Sequence, residues 1–391
     1  MLVNDESKLM NIIEIGTLKK QPRGFSAFIP NPFPPKEGFA FSSAILLKND
    51  EATRLIGKLD GVTKNLPDME NFLRMYMSKD AASSSQIEGT MATMTDAIEA
   101  KVQRTMKIPA DVDDILHYLE ALHHGIKRIN EPGFFLSLNF IRELHRELMH
   151  NARVSGYLEP GEFREEQVWI GATLAEDASY VPPPVDEMRR ALNDLERYIN
   201  TDDSTTVIIK TGLIHAQFET IHPFKDGNGR TGRMLINFYL WQTHFLEKLV
   251  LFLSSYFNRN RRVYYDKLQG YHSGNVEEWV DYFLNGVIEI ASESIDIVSQ
   301  INALHGKDVA IIASMGKRAA ESAVKVMPKL YTQPIVNVAT IQKWTGFSRP
   351  GAQVVIDRFI EKGILIPKDR DLKYGQSYVY KQYLDIFKGK D

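Results

Sequence analysis

Residues 221–233 read IHPFKDGNGRTGR, placing one histidine, one aspartate, three glycines, an asparagine and two arginines in a single short run. Glycine costs about 1 kcal/mol per position inside a helix, and charged side chains rarely bury unpaired, so packing alone does not account for the mixture. The apolar periodic segment 207–220 precedes the run, and MLINFYLW (234–241) follows it. The pattern is therefore helix, polar loop, helix.

Gly227, Asn228 and Gly229 allow successive backbone N–H groups to point inward, and a helix starting near Arg230 adds its own first-turn donors. That combination is an anion nest at a helix N-terminus. Arg230 and Arg233 share a helical face, where guanidinium groups fork onto phosphate oxygens. Asp226 beside a positive nest calls for a hard cation such as Mg²⁺ bridging it to phosphate. His222 is the nearby group whose ordinary pKa suits proton abstraction near neutrality. Base, metal carboxylate, nest and arginine clamps together match nucleotide phosphoryl or nucleotidyl transfer; the competing reading is a helix cap with surface charges. No G-x-x-x-x-G-K-[ST] loop occurs, and a helix rather than a strand precedes the glycines, which excludes a dinucleotide fingerprint.

The rest of the chain sets the frame. It has 391 residues, 47 basic against 50 acidic, a formal charge of -3 and no cysteine. That balance is no general attractant for nucleic acid or anionic membrane, and thiol catalysis, disulfides and thiolate metal sites are excluded. No signal-peptide pattern and no run of about 20 apolar residues is present. A cytoplasmic protein without membrane partners is expected.

Four regions are predicted. Residues 1–110 form an N-terminal arm, proline-rich at IPNPFPPKEGFAF (29–41), followed by helices. Residues 111–270 form the catalytic core, beginning with two amphipathic helices around a Glu-Pro-Gly turn. Residues 271–330 form a helical array. In 331–391, NVATIQKWTG and SRPGAQVVIDRFIEKGIL read as a helix-turn-helix, and the strands around Gly375 read as its wing. The fold class is mainly α with a small β-hairpin, about 165–182, and a winged helix-turn-helix at the C-terminus.

HPFKDGNGRTGR resembles the signature of Fic-domain proteins, His-x-Phe-x-[Asp/Glu]-Gly-Asn-Gly-Arg-x-x-Arg, at every fixed position. The resemblance implies an adenylyltransferase that moves AMP from ATP to a Ser, Thr or Tyr hydroxyl of a target protein, or of itself, with Mg²⁺ (or Mn²⁺) and release of pyrophosphate. His222 would be the base, and Phe224 the buried anchor of the loop. Asp226 would be the metal ligand. Gly227, Asn228 and Gly229 would line the anion hole, Arg230 would hold the β-phosphate region, and Arg233 the γ-phosphate. QVWIG (167–171) with DASYVPPP stands where the family carries its target-positioning hairpin; an extended segment could add to such an edge. Asn258, Tyr264 and Tyr265 resemble the nucleoside-side helix, with part of this aromatic set expected to pack the core.

SSSQIEGT (83–90) reads from composition as a serine-started helix with a surface glutamate. Fic proteins with an inhibitory helix carry [Ser/Thr]-x-x-x-Glu-[Gly/Asn], which Ser84, Glu88 and Gly89 satisfy; the resemblance implies that Glu88 pairs with Arg233, taking the donor that the ATP γ-phosphate needs, so that ATP binds with its α-phosphate misoriented for attack. Two further readings stand beside AMP transfer. One is removal of AMP by the same site. The other is a DNA-binding regulator, with Arg349, Gln353 and Arg358 on the recognition helix and Lys368, Arg370 and Lys373 on the wing, diluted by Asp357, Glu361, Asp369 and Asp371. A homodimer is expected from relatives only.

Overall fold

The computed structural model describes residues 13–22, 24–102, 108–150, 159–369 and 375–388. In chain order the elements are β1 (Gly16–Lys20), β2 (Ser26–Pro30), α1 (Ser43–Thr63), α2 (Met69–Ile87), α3 (Met94–Ala100), α4 (Ala110–Ile129), α5 (Leu138–Met149), α6 (Val185–Asn200), α7 (Val207–Ile221) and α8 (Asn228–Gln242). They continue as α9 (Ser254–Arg259), α10 (Arg261–His272), α11 (Val276–Ala313), α12 (Lys317–Thr332), β3 (Ile335–Asn337), α13 (Val338–Thr345), α14 (Arg349–Glu361), β4 (Ile366–Pro367), β5 (Ser377–Val379) and α15 (Lys381–Phe387). The chain is mainly helical, as the periodicity predicts. Among the described residues no helix is long and apolar enough to cross a membrane.

The chain divides into two compact units, each assembled from separate segments. One comprises Met1–Arg54, Glu120–Glu247 and Arg259–Ile288; the other comprises Leu55–Leu119, Lys248–Asn258 and Glu289–Asp391.

In the first unit α7 is the central helix, buried along nearly all of its length. Such a helix must satisfy its polar side chains internally. Thr211 and Thr220 donate to the Val207 and Ala216 carbonyls at 2.7 Å each. The Lys210 ammonium reaches the Thr201 carbonyl at 2.5 Å and lies 4.6 Å from the Tyr198 ring centre. Trp279 Nε1 donates to the Gly212 carbonyl at 2.8 Å. α6 and α8 pack on α7, and α5 on α8.

Two local expectations need correction in this unit. The N-terminal arm, which its prolines suggest runs extended along the surface, holds a hairpin: β1 and β2 pair antiparallel with Gly16 opposite Pro30 and Lys20 opposite Ser26. The Phe28 amide also donates to the Val181 carbonyl at 2.9 Å. β1 is exposed along nearly its whole length and β2 buried at four successive residues, so neither five-residue strand shows the alternation that would mark it in the sequence. The 165–182 segment is a loop closed by one bridge, Ile170 to Tyr180, around a 3-10 turn at Ala175–Asp177, and not a ladder. Pro182, Pro183 and Pro184 have no amide to donate, and the Gln167 side chain takes the Pro182 carbonyl instead, at 2.8 Å.

In the second unit α2 starts at an Asp68 cap that accepts the Asn71 amide, and α3 starts at a Thr93–Asp96 capping box. Buried Asp80 on α2 accepts from the Tyr118 hydroxyl at 2.8 Å and from the Ser254 amide at 3.2 Å. The C-terminal segment is winged-helix-like: α13 and α14 meet at a short turn through Gly346, beside a sheet in the order β3-β5-β4. Its cues were local: Asn337 caps α13 in a capping box, and Ser348 caps α14 by accepting the Gly351 amide.

Candidate active site

The Ile221–Arg233 run folds as the end of α7, a six-residue loop, and the start of α8. His222 ends α7 in the left-handed region (φ 48°, ψ 62°), unusual for a residue with a side chain, while its amide still donates to the Phe218 carbonyl at 3.0 Å. A backbone held there must be over-determined by its surroundings. Arg164 supplies the restraint. Its Nε donates to the His222 carbonyl at 2.9 Å, its amide to the Pro223 carbonyl at 2.9 Å, and its two terminal nitrogens to the Glu166 and Pro183 carbonyls at 3.1 and 2.6 Å. Burial, with no carboxylate partner among the described residues, pushes this guanidinium down to about 10. The loop that carries the base is thereby tied to both ends of the 165–182 segment.

A second bracket comes from α5. The His145 ring stacks on Phe224, centroids 3.6 Å apart and planes within 2°. Its Nδ1 accepts the Gly161 amide at 2.9 Å, so the proton sits on Nε2, which donates to the Asp226 carbonyl at 2.9 Å. Burial holds His145 neutral, with its pKa lowered to about 4. Phe224 is fully buried. Asn228 closes the loop from the other side, accepting the Phe224 amide at 2.8 Å and donating to its carbonyl at 2.9 Å. What Asn228 leaves for an anion is its backbone N–H and the second Nδ2 hydrogen.

Gly227 has φ 77°, and a Cβ there would stand 2.7 Å from Met149 Sδ; glycine satisfies both the conformation and the space. α8 begins at Asn228, two residues earlier than predicted, so the Asn228, Gly229 and Arg230 amides form the unpaired first turn. Arg230 is buried, its Nε has no acceptor, and its nearest carboxylate oxygen is Asp226 Oδ1 at 3.8 Å. A buried guanidinium with an orphan N–H beside a helix N-terminus is a cradle for an anion. The Asp226 carboxylate is half exposed, and the same Oδ1 accepts the Gly227 amide at 2.6 Å. No group of three or more metal-ligating side chains occurs among the described residues. One carboxylate fits Mg²⁺, which takes its remaining positions from phosphate oxygens and water.

Arg233 is buried in α8, and its charge joins burial in lowering His215 to about 3. His215 Nε2 lies 2.8 Å from the Tyr264 hydroxyl. Tyr264 is thus packed in the core, whereas Tyr265 is 44% exposed with Arg261 6.0 Å from its ring centre. Asn258 lies in the other unit and donates to Gln86 Oε1 at 3.0 Å. There the 83–90 stretch is the end of a helix and not its start: Ser84 is fully buried in the last turn of α2, whose N-cap is Asp68, and Glu88 is its exposed C-cap. Gly89 follows at φ 101° with open space around it, so its requirement is conformational. A carboxylate at a helix C-terminus opposes the helix dipole, so helix stability does not explain Glu88.

Of the residues proposed for DNA, Arg349 is exposed at the start of α14. Gln353 donates to Asp357 at 2.8 Å, and Lys368 is paired with Glu99. Arg370, Asp371 and Lys373 lie outside the described residues. Sequence reading missed Arg164 and His145. Arg164 in GEFREEQ had one cue, a lone basic residue between apolar and acidic ones; His145 had none beyond its place on an amphipathic helix.

The Fic/DOC family model matches residues 135–240, and the Fic/DOC family N-terminal model matches residues 46–127. The chain is 30% identical over 204 residues to the protein adenylyltransferase Fic of Aedes aegypti and 26% identical over 205 residues to that of Nematostella vectensis. These alignments cover 50% and 51% of the chain but only 37% and 44% of those proteins. Among solved structures, a Fic family protein from Desulfovibrio desulfuricans superposes with a TM-score of 0.54 at 17% identity, over 88% of this chain and 97% of that one; the likeness is one of fold. Over residues 46–127 and 135–240 the chain is therefore similar to proteins of the Fic/DOC family.

Proposed function

We propose that this chain transfers AMP from ATP to a hydroxyl of a protein substrate, Ser, Thr or Tyr, and that His222 is its general base. The observation that carries the reading is the placement of His222, Asp226 and the orphaned Arg230 guanidinium along one loop entering the free N-terminus of α8. The His222 imidazole takes the proton of the attacking hydroxyl as its oxygen bonds to the α-phosphorus. The bond from that phosphorus to the bridging oxygen breaks, and pyrophosphate leaves. The α8 amides and Arg230 hold phosphate oxygens in place, and Arg233 serves the γ-phosphate. Mg²⁺ or Mn²⁺ on Asp226, when bound, would neutralise phosphate charge. The 165–182 segment, with half-exposed Trp169 and exposed Leu174, would receive the target backbone.

The Glu88 carboxylate, in this reading, competes with the γ-phosphate for Arg233 and keeps the enzyme off. ATP labelled at the α-phosphate tests the reading with the full chain in Mg²⁺. Glu88→Gly should raise label on the protein itself or on lysate proteins, and adding His222→Ala should remove it. Labelling unchanged in Glu88→Gly rejects the switch; release of AMP from a modified protein without any transfer rejects the direction of the reaction.

A further inference from the structure

The second unit contains a cavity that the proposed transfer chemistry does not use. It has a volume of about 290 Å³, near the lower end of the range of about 300–1,000 Å³ for small-molecule sites. Its walls are chiefly apolar, with Phe72 of α2, Ile301 of α11 and Met327 of α12 among them. Val309 and Val324, 52% and 60% exposed, stand at its margin and give it an opening to solvent.

One polar group in this lining is out of place. Asp308 is only 2% exposed, yet no lysine or arginine pairs with it among the described residues. The Tyr331 and Tyr380 hydroxyls both donate to Oδ2, so no phenol is spent on Oδ1, the oxygen open to a ligand. Burial raises the Asp308 pKa, opposed by the two phenols and by the charges of His305 and Lys307. The Lys307 amine is engaged 3.1 Å away by Gln382, and the His305 ring packs against Tyr331 with centroids 5.8 Å apart. A second carboxylate, Asp68, also lines the space, but both its oxygens are taken by Asn71. A buried carboxylate in an apolar chamber is costly unless a donor or cation completes it.

We propose that this cavity binds a small organic amine, its protonated nitrogen on Asp308 Oδ1 and its apolar body between α2, α11 and α12. Occupancy would brace α2, the helix that ends in Ser84 and Glu88. The N-terminal turn of α2 is already tied to α12, since Thr332 donates to Asn71 Oδ1 at 2.5 Å and Asn71 Nδ2 reaches the Pro328 carbonyl at 3.4 Å.

The test is calorimetric titration of the full chain with phenethylamine, phenethyl alcohol and phenylacetate, three probes of similar shape differing in head group. The amine should bind at one site, at least about tenfold tighter than the alcohol, a gap of about 1.4 kcal/mol, and phenylacetate should not bind. Asp308→Asn should remove the preference for the amine over the alcohol. Should that variant fail to fold, Val324→Trp, a change at an exposed position on the margin, should abolish binding while leaving the melting temperature in place. Amide exchange in Met69–Ile87 should slow when the amine is bound. Absence of amine binding up to its solubility limit, equal binding of the amine and phenylacetate, or binding undiminished in Val324→Trp overturns the proposal.

Discussion

The loop from His222 to Gly227 and the end of α2 from Ser84 to Gly89 are both short, polar and finished by a glycine with positive φ. They are held in opposite ways. Long-range partners hold three carbonyls of the loop, Arg164 those of His222 and Pro223 and His145 that of Asp226, while Asn228, four positions on, brackets both sides of Phe224. The backbone at the end of α2 closes on its own chain, with the Glu88 and Gly89 amides on the Ser85 and Gln86 carbonyls, while the Gln86 side chain accepts from Asn258. The lesson is that the loop's geometry is set by packing against distant side chains, whereas the backbone at the end of α2 is set by neighbours along its own helix.

Breaking the loop should give the largest effects. Arg230→Met removes the orphaned donor while keeping bulk, and transfer from ATP should fall on the order of 10²–10³-fold, as for loss of one preorganised donor to a developing charge. Initial rates in the Glu88→Gly background measure it. Arg164→Met should lower kcat by about 10²-fold with little change in KM for ATP, because Arg164 positions His222 and reaches no nucleotide group. A fall in melting temperature with kcat preserved would reduce Arg164 to a purely structural role.

Stability against pH sharpens the comparison next. His145 and His215, both in the loop's unit, have pKa values lowered from 6.5 to about 4 and about 3 by burial. The unfolded chain therefore binds more protons than the folded one below about pH 6.5, and folding stability declines as pH falls from there toward 4. The slope is on the order of 1 kcal/mol per pH unit for each fully neutral histidine. Thermal melts across that window should show the loss, reduced in His145→Gln, which keeps an amide donor for Asp226 without a titrating ring.

The smallest effect belongs to α2. Glu88→Gln removes a charge that the helix dipole disfavours, so unfolding free energy should change by less than about 1 kcal/mol while labelling rises. A large destabilisation would give Glu88 a structural role instead of a regulatory one.

Much of this was legible in the sequence because it is local. The mixture at 222–233 marks donors, a carboxylate and a helix start, whereas Ser84–Gly89, read as a helix started by serine, is the last turn and cap of α2 because the helix is nucleated at Asp68, 16 positions earlier. The helix-turn-helix was legible as two short helical segments joined by a tight glycine-containing turn. The 165–182 segment was read as a hairpin because alternation was visible, whereas the absence of a ladder follows from prolines and one glutamine side chain acting across the loop. Tyr264 shows the same limit: spacing puts it on a helical face, but only packing turns that face toward His215.

The sequence by itself determined the chemistry available at the site and the backbone that glycine and the caps permit, because those depend on neighbours a few positions away. Only the tertiary structure decided that Arg164, 58 positions before His222, holds its carbonyl. The same holds for His145 locking the Asp226 peptide and for Asp308 in an apolar chamber facing two phenols. Each of those contacts is fixed by which helical faces meet. That depends on burial summed over the whole fold and leaves no mark in the spacing of a short motif.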